Sequence, residues 1–271
     1  MSATQRPDWA PEGVDISRPN IARSYDYWLG GSHNFAVDRE YAQKIMEALP
    51  NVRILAQANR AMLHRAVSYL RSEGVRQFLD LGSGIPTLGN VHEAAQRTSP
   101  DVRVVYVDID PIAVAHSEQI LADNEYGVAL QADMCEPDKV LGSSVVRDVI
   151  DFSQPVGVLA VAVLHVIPDS KRPQEAVKAY RDAFPSGSHI VISHVSHEGA
   201  SSDEMHVARE LSQATPTPGQ LRTRDEILKF FDGYELVEPG LVWGPQWRPD
   251  GPPEGDEANQ MAFYAGVGRK P

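Results

Sequence analysis

The stretch Gln77-Phe78-Leu79-Asp80-Leu81-Gly82-Ser83-Gly84-Ile85-Pro86-Thr87 decides the fold. A short apolar run stops at a glycine-serine-glycine turn, and a helix-compatible segment continues to about Arg97. This pattern predicts a buried strand that turns tightly into a helix N-terminus. Glycine at both turn positions allows positive φ and lets a ligand approach bare backbone. Free N–H groups at the helix start would favour an anionic or carbonyl-rich ligand. A G-x-G turn also serves packing alone, so its meaning rests on what surrounds it.

Downstream, apolar runs alternate with helical segments. Strands are expected at Phe78–Leu81, Val102–Val107, Val128–Gln131, Val156–Val163 and His189–His194. Helices are expected between them near Leu88–Arg97, Ile112–Asp123, Ser143–Val149 and Gln174–Phe184. Strands that are apolar throughout and joined by helical crossovers indicate a parallel sheet covered on both faces. Right-handed crossovers make it a doubly wound α/β fold. Beyond Ser193 the alternation loosens into helices near Ser202–Gln213 and Arg224–Phe231, then a strand Tyr234–Val242. A Pro/Gly/acidic loop, Gly244 to Glu257, leads to a last strand, Gln260–Val267. These two strands are expected to form an antiparallel C-terminal hairpin, completing a mostly parallel seven-stranded sheet.

Upstream, residues 1–17 are polar and Pro-rich, and the rest of the first seventy-five residues is mostly helical. Pro19 suits a first turn, and the Gly30-Gly31 pair ends that helix. Tyr25, Tyr27 and Trp28 cover more than one helix face. They read either as core anchors or as a lid whose polar tips, Tyr25 and Tyr27, reach a ligand. Ser32-His33-Asn34-Phe35 follows as a polar loop, and Asp38 is expected to cap a helix Arg39–Leu49. Asn51 then opens a long helix, Val52 to about Ser72, closed at Gly74, with apolar positions from Ile54 to Leu70 at helical spacing. The expected organisation is an N-terminal helical extension or lid, 1–75, and an α/β domain, 76–271.

Composition narrows the function classes. A net charge of -12 over 271 residues argues against a dedicated nucleic-acid binder, which needs a basic face. The single Cys135 forms no internal disulfide and fits a reducing cytoplasm. Residues 1–20 lack the apolar core of a signal peptide. The longest apolar run, Val156 to Ile167, is too short to span a membrane and contains Gly157 and His165. The expectation is a cytoplasmic protein with no membrane or nucleic-acid partner. Its oligomeric state is left open, a homodimer included.

Two carboxylates fall where such a sheet presents ligands. Asp108 ends the second strand, 26 residues after Gly82, where an acid accepts hydrogen bonds from ribose hydroxyls. Helix capping is the competing role, and Asp110, just before Pro111, fills it better. Asp133 follows the third strand, 25 residues after Asp108, where it could take an adenine amino hydrogen with Met134 packing on the ring. His165 lies at the carboxyl end of a central strand and reads as a base, a ligand contact or a core histidine. As a base it would give a rate rising through a pKa near neutrality. His194-x-x-His197 has metal-like spacing, but no Cys or carboxylate completes a set, and no metal is expected.

Leu79-Asp80-Leu81-Gly82-Ser83-Gly84, Asp108, Ala132-Asp133-Met134 and Leu164-His165-Val166-Ile167-Pro168-Asp169 together resemble the motifs of the Rossmann-like S-adenosylmethionine-dependent methyltransferases. The segment Ile21 to Gly31, with Asn34-Phe35 and Asp38-Arg39, resembles the opening of a bacterial family called simply S-adenosyl methyltransferase, formerly a domain of unknown function. The similarity runs from about Ser17 to Gly268. It departs at Pro86 and Thr87, where many methyltransferases place a third glycine, and Pro86 lacks an N–H. The resemblance implies S-adenosyl-L-methionine as cofactor, held by Asp80, Gly82, Ser83, Gly84, Asp108, Ile109, Asp133 and Met134. It implies in-line methyl transfer to a small-molecule acceptor, with His165 as the catalytic candidate and Tyr25, Tyr27, His33 and Asn34 on the acceptor side. Asn-Pro-Pro-Tyr is absent, which disfavours methylation of base or glutamine amino groups. The alternatives are a non-catalytic cofactor-binding regulatory or scaffold protein and a nicotinamide-dependent reductase, the latter disfavoured by Asp133-Met134.

Overall fold

The computed structural model describes residues 15–86, 89–97, 99–199, 219–251 and 262–271, with 210, 213 and 215. Five parallel strands lie at its centre: β1 (Gln77–Leu81), β2 (Arg103–Asp108), β3 (Gly127–Gln131), β4 (Gly157–Val161) and β5 (His189–Val195). Three more follow, β6 (Glu235–Leu236), β7 (Val242–Trp243) and β8 (Phe263–Arg269). The order is β3-β2-β1-β4-β5-β8-β6, with β8 antiparallel to β5 and β7 also paired to β8. The chain changes winding direction between β1 and β4, so a crevice opens at their carboxyl ends.

The mostly parallel sheet, its antiparallel C-terminal pairing and the N-terminal helices are as the sequence predicts, with one strand more. The expected strand Tyr234–Val242 is interrupted at Pro239-Gly240, leaving β6 and β7 separately on β8. Proline offers no ladder donor, and Gly240 sits at φ +88. β4 stops at Val161 because Ala162 adopts φ +56 and turns its N–H to Ser193 Oγ at 2.9 Å.

α1 (Ile21–Trp28) starts at Asn20 rather than Pro19, since the Asn20 side chain accepts from the Ala22 N–H at 2.8 Å. α2 (Ala36–Ala48) corrects the capping role expected of Asp38, which lies inside the first turn. Its buried carboxylate accepts from the Phe35 and Asn20 N–H groups, both at 2.8 Å, and pairs with Arg23 Nε at 3.1 Å. α3 (Val52–Ser72) spans the predicted range. Its Met62, Ala66, Val67 and Leu70 share one core with Phe78, Val104 and Val267 of the sheet. The opposite sheet face, with Leu79, Leu81 and Val105, packs on Val146, Val177 and Tyr180.

The remaining helices are α4 (Val91–Gln96), α5 (Pro111–Ile120), α6 (Pro137–Gly142), α7 (Ser144–Val149), α8 (Pro173–Ala183) and a short helix Arg224–Leu228. α6 has no counterpart among the expected helices, and α4 starts later than expected, with Asn90 as its cap. The expected helix Ser202–Gln213 falls almost wholly outside the described residues, as do residues 252–257 of the acidic loop and the start of the last strand. No helix among the described residues is long and apolar enough to cross a membrane.

Asp38→Ala would strand Arg23 Nε and two backbone donors without water. An unfolding free-energy loss of about 3–5 kcal/mol is expected from denaturant titration. A loss below about 1 kcal/mol, the scale of an exposed pair, would contradict the buried arrangement.

Candidate active site

β1 delivers Asp80, Gly82 and Gly84 to the crevice. Gly82 and Gly84 take φ +68 and +66, and a Cβ at Gly82 would overlap Val163. A Cβ at Gly84 would meet nothing within 4 Å, so this backbone faces open cleft. The loop's donors point inward. The Gly82 and Ser83 N–H groups go to Val107 O at 2.8 and 3.1 Å, and the Gly84 N–H to Asp108 Oδ2 at 2.7 Å. Asp108 Oδ1 takes the Asp110 N–H at 2.8 Å, so one carboxylate ties the β1 turn to the β2 turn. The helix start is not a donor site next to this loop, because α4 begins only at Val91.

Burial dominates the electrostatics. It raises the Asp80 carboxyl to about 7, with Arg60 opposing the rise and Asp108 adding to it. Burial likewise raises Asp108 to about 6, against the hydrogen bonds from Asp110 and Gly84. Water stabilises a carboxylate better than this crevice does.

Further along the crevice, Ile109 is an exposed large apolar residue beside Asp108, at 55%. Ala132, Asp133 and Met134 line the cleft with it. Asp133 is already engaged: Oδ2 accepts from Lys171 Nζ and Oδ1 from the Cys135 N–H, at 2.7 and 2.9 Å. These contacts hold its pKa below the usual value despite partial burial.

His165 lies on the turn after β4 and lines the cleft. Its Nδ1 is buried without a hydrogen-bond partner. Burial first, then the Arg222 charge, lower its pKa to about 4, below the near-neutral value that went with the base reading. Arg222 organises this segment, donating to Leu164 O at 2.8 Å, Ile167 O at 3.0 Å and Asp169 Oδ1 at 2.6 Å. Arg222 Nη1 also lies 3.0 Å from His194 Nε2, and His194 Nδ1 lies 2.7 Å from Val195 O. With the first nitrogen accepting and the second donating, His194 is a neutral spacer between the arginine and the sheet.

On the other side stand the N-terminal helices. The cavity, about 410 Å³, runs from Asp108 and Ile109 past Asp80 to Tyr25, Trp28, Tyr41, Ile45 and Val52. Its roof is tied to the sheet by a hydrogen-bonded chain. Ser193 Oγ donates to Asn59 Oδ1 at 2.6 Å, Asn59 Nδ2 donates to Tyr25 Oη at 3.0 Å, and Tyr25 Oη donates to Ala56 O at 3.1 Å.

Of the residues expected on the acceptor side, only Tyr25 reaches this cavity. Tyr27, two positions on, faces another way, with Arg53 5.4 Å from its ring and its hydroxyl at Gln43. Asp26 draws the following loop back, accepting from the His33 N–H at 2.9 Å and Asn34 Nδ2 at 2.8 Å. The His33 ring lies tilted against His116, with centroids 3.8 Å apart. Asn59, Arg60, Lys171, Ser193 and Arg222 escaped the sequence reading. Only Asn59 carried a signal, as a polar residue on the buried stripe of α3 between Ala56 and Met62.

Residues 7–271 match the family described as S-adenosyl methyltransferase. The chain belongs to the S-adenosyl methyltransferase family. A candidate methyltransferase from Thermobifida fusca is 40% identical, with 97% of this chain and 99% of that one aligned at a TM-score of 0.91. A DUF574 family protein from Streptomyces avermitilis is 38% identical over 95% and 99% of the two chains, with a TM-score of 0.89. A comparison with curated proteins returns no match.

S-adenosylmethionine is the cofactor of an S-adenosyl methyltransferase, and the crevice fits it on its own chemistry. The open face of Gly84 leaves room for the ligand's backbone approach. Buried acids stand at the ends of β1 and β2, and Arg60 Nε is a buried donor without a partner.

Asp80 makes a pH prediction. Its folded pKa of about 7 lies above the model-peptide value of about 3.9, so the stability linked to its protonated form is complete at low pH. That stability is lost as pH rises through about 7. Asp80→Asn mimics the protonated carboxyl, so its Tm relative to wild type should rise between pH 5 and pH 8. A difference independent of pH would contradict the raised pKa.

Proposed function

We propose that the protein transfers the methyl group of S-adenosylmethionine to an uncharged small molecule with an apolar body. The observation that carries this reading is the single cleft joining the Asp108–Ile109 end to the aromatic chamber under α1 and α2. Clefts of a few hundred Å³, mostly apolar with a few placed polar groups, are the usual form of small-molecule sites.

In this reading Asp108 accepts from the ribose hydroxyls while it braces Gly84. Ile109 and Met134 flank the adenine, and Asp133 uses the lone pairs left by Lys171 and Cys135 to accept from its amino group. Bound there, the cofactor's sulfonium supplies an electrophilic methyl. The protein's part is alignment and exclusion of water. Trp28, Tyr41, Ile45 and Val52 hold the acceptor's apolar body, which favours an uncharged molecule over a phosphorylated or polycationic one. Residues 15–75 are then the acceptor-side wall, pinned at Tyr25 and Asn59. A cytoplasmic setting goes with the lone Cys135.

His165 meets the acceptor's nucleophile as a neutral imidazole on the wall of the cleft, able to accept a hydrogen bond. With a pKa of about 4 it stays uncharged through the neutral range, ready to accept a proton but contributing no rate limb near pH 7.

Incubation with methyl-labelled cofactor and a bacterial extract tests the function. Label is expected in the low-mass, organic-extractable fraction. Label in protein or nucleic acid contradicts the small-molecule reading, and label remaining on the cofactor favours a binder without catalysis. Once an acceptor is in hand, His165→Gln should lower turnover by about 10²-fold or more, with wild-type rates flat from pH 6 to 8 as far as His165 is concerned. Full turnover in the variant would remove His165 from the reaction.

A further inference from the structure

The cofactor's methionyl end carries a carboxylate and an ammonium, and the glycine loop has little left to offer the carboxylate. The Gly82, Ser83 and Gly84 N–H groups are spent on Val107 O and Asp108, and Pro86 has no N–H. Backbone amides at such turns commonly cradle anions. Here the first residues of the turn face the protein instead.

Among the described residues two cations line the cleft, and Lys171 is spent on Asp133. The other is Arg60, on α3, which lines it with Asp80 and Gly82. Among the described residues Arg60 has no ion-pair or hydrogen-bond partner, and its Nε is buried and unsatisfied. A guanidinium half withdrawn from water without an acceptor is unfavourable, and bidentate carboxylate is the acceptor its planar fork matches best. Its charge acts on the Asp80 carboxyl across the cleft, although no ion pair joins them. The two together are complementary to a zwitterion: ammonium toward Asp80, carboxylate toward Arg60.

We propose that Arg60 binds the α-carboxylate of S-adenosylmethionine, so that α3 of the N-terminal helices supplies the anchor the glycine loop lacks. This inference rests on the cofactor binding as proposed above, with its ribose at Asp108. It makes the N-terminal helices part of the cofactor site as well as of the acceptor chamber.

Calorimetry with two ligands on three proteins tests it. S-adenosylhomocysteine carries the amino-acid end, whereas 5′-methylthioadenosine keeps the nucleoside and sulfur but lacks the carboxylate and ammonium. Arg60→Met should weaken S-adenosylhomocysteine by about 10- to 100-fold, the range for a charged hydrogen-bonded contact, and leave 5′-methylthioadenosine unchanged. Arg60→Lys keeps the charge without the fork and should fall between the two. It also preserves the test should Arg60→Met fail to fold. Equal losses for both ligands, or none for either, would overturn the carboxylate role while wild-type binding stands. Wild-type protein that binds neither ligand would overturn the cofactor reading itself, and this inference with it.

Discussion

The hydrogen bond from Ser193 Oγ to Asn59 Oδ1, 2.6 Å long and buried, is the contact on which the cleft depends. Ser193 belongs to β5 and Asn59 to α3, so this bond joins the sheet to the helical wall. On one side it continues to the Ala162 N–H, holding the backbone where β4 ends at positive φ. On the other it continues through Tyr25 Oη to α1. Every polar atom in this chain has its partner, and in a low-dielectric interior a satisfied chain is rigid where a broken one is costly. The same few bonds therefore set the turn carrying His165 and the roof above it.

Around that frame the site concentrates charge away from water. Asp80 and Asp108 sit at adjacent strand ends with their pKa values raised mainly by burial, and Arg60 lines the same cleft. Such groups weaken the unliganded fold and gain when a ligand of complementary charge arrives. His165 follows the opposite logic. Burial and the Arg222 guanidinium keep it uncharged at neutral pH.

Much of the fold was legible because strand and helix leave local periodicities. The five parallel strands appear at their predicted positions within a few residues, and α3 within its predicted range. Local signals failed where a backbone detail intervened, as at Pro239-Gly240, which divides a strand, or Ala162, which ends one early. The positions of Asp108 and Asp133 at strand ends lining the cleft were legible from spacing. The lining contributed by the N-terminal helices was not. Tyr25 and Tyr27 look equivalent in sequence, yet helix geometry lets only the first face the cavity, and Asp26 folds His33 and Asn34 away. Arg222 lies 57 residues after the His165 it helps to tune, a distance no motif encodes.

The most direct measurement is a crystal structure of the complex with S-adenosylhomocysteine. Ribose hydroxyls are expected on Asp108, adenine between Ile109 and Met134, and the sulfur turned toward His165 and the Tyr25–Trp28 chamber. A ligand bound elsewhere, or one whose sulfur faces away from that chamber, would contradict this placement.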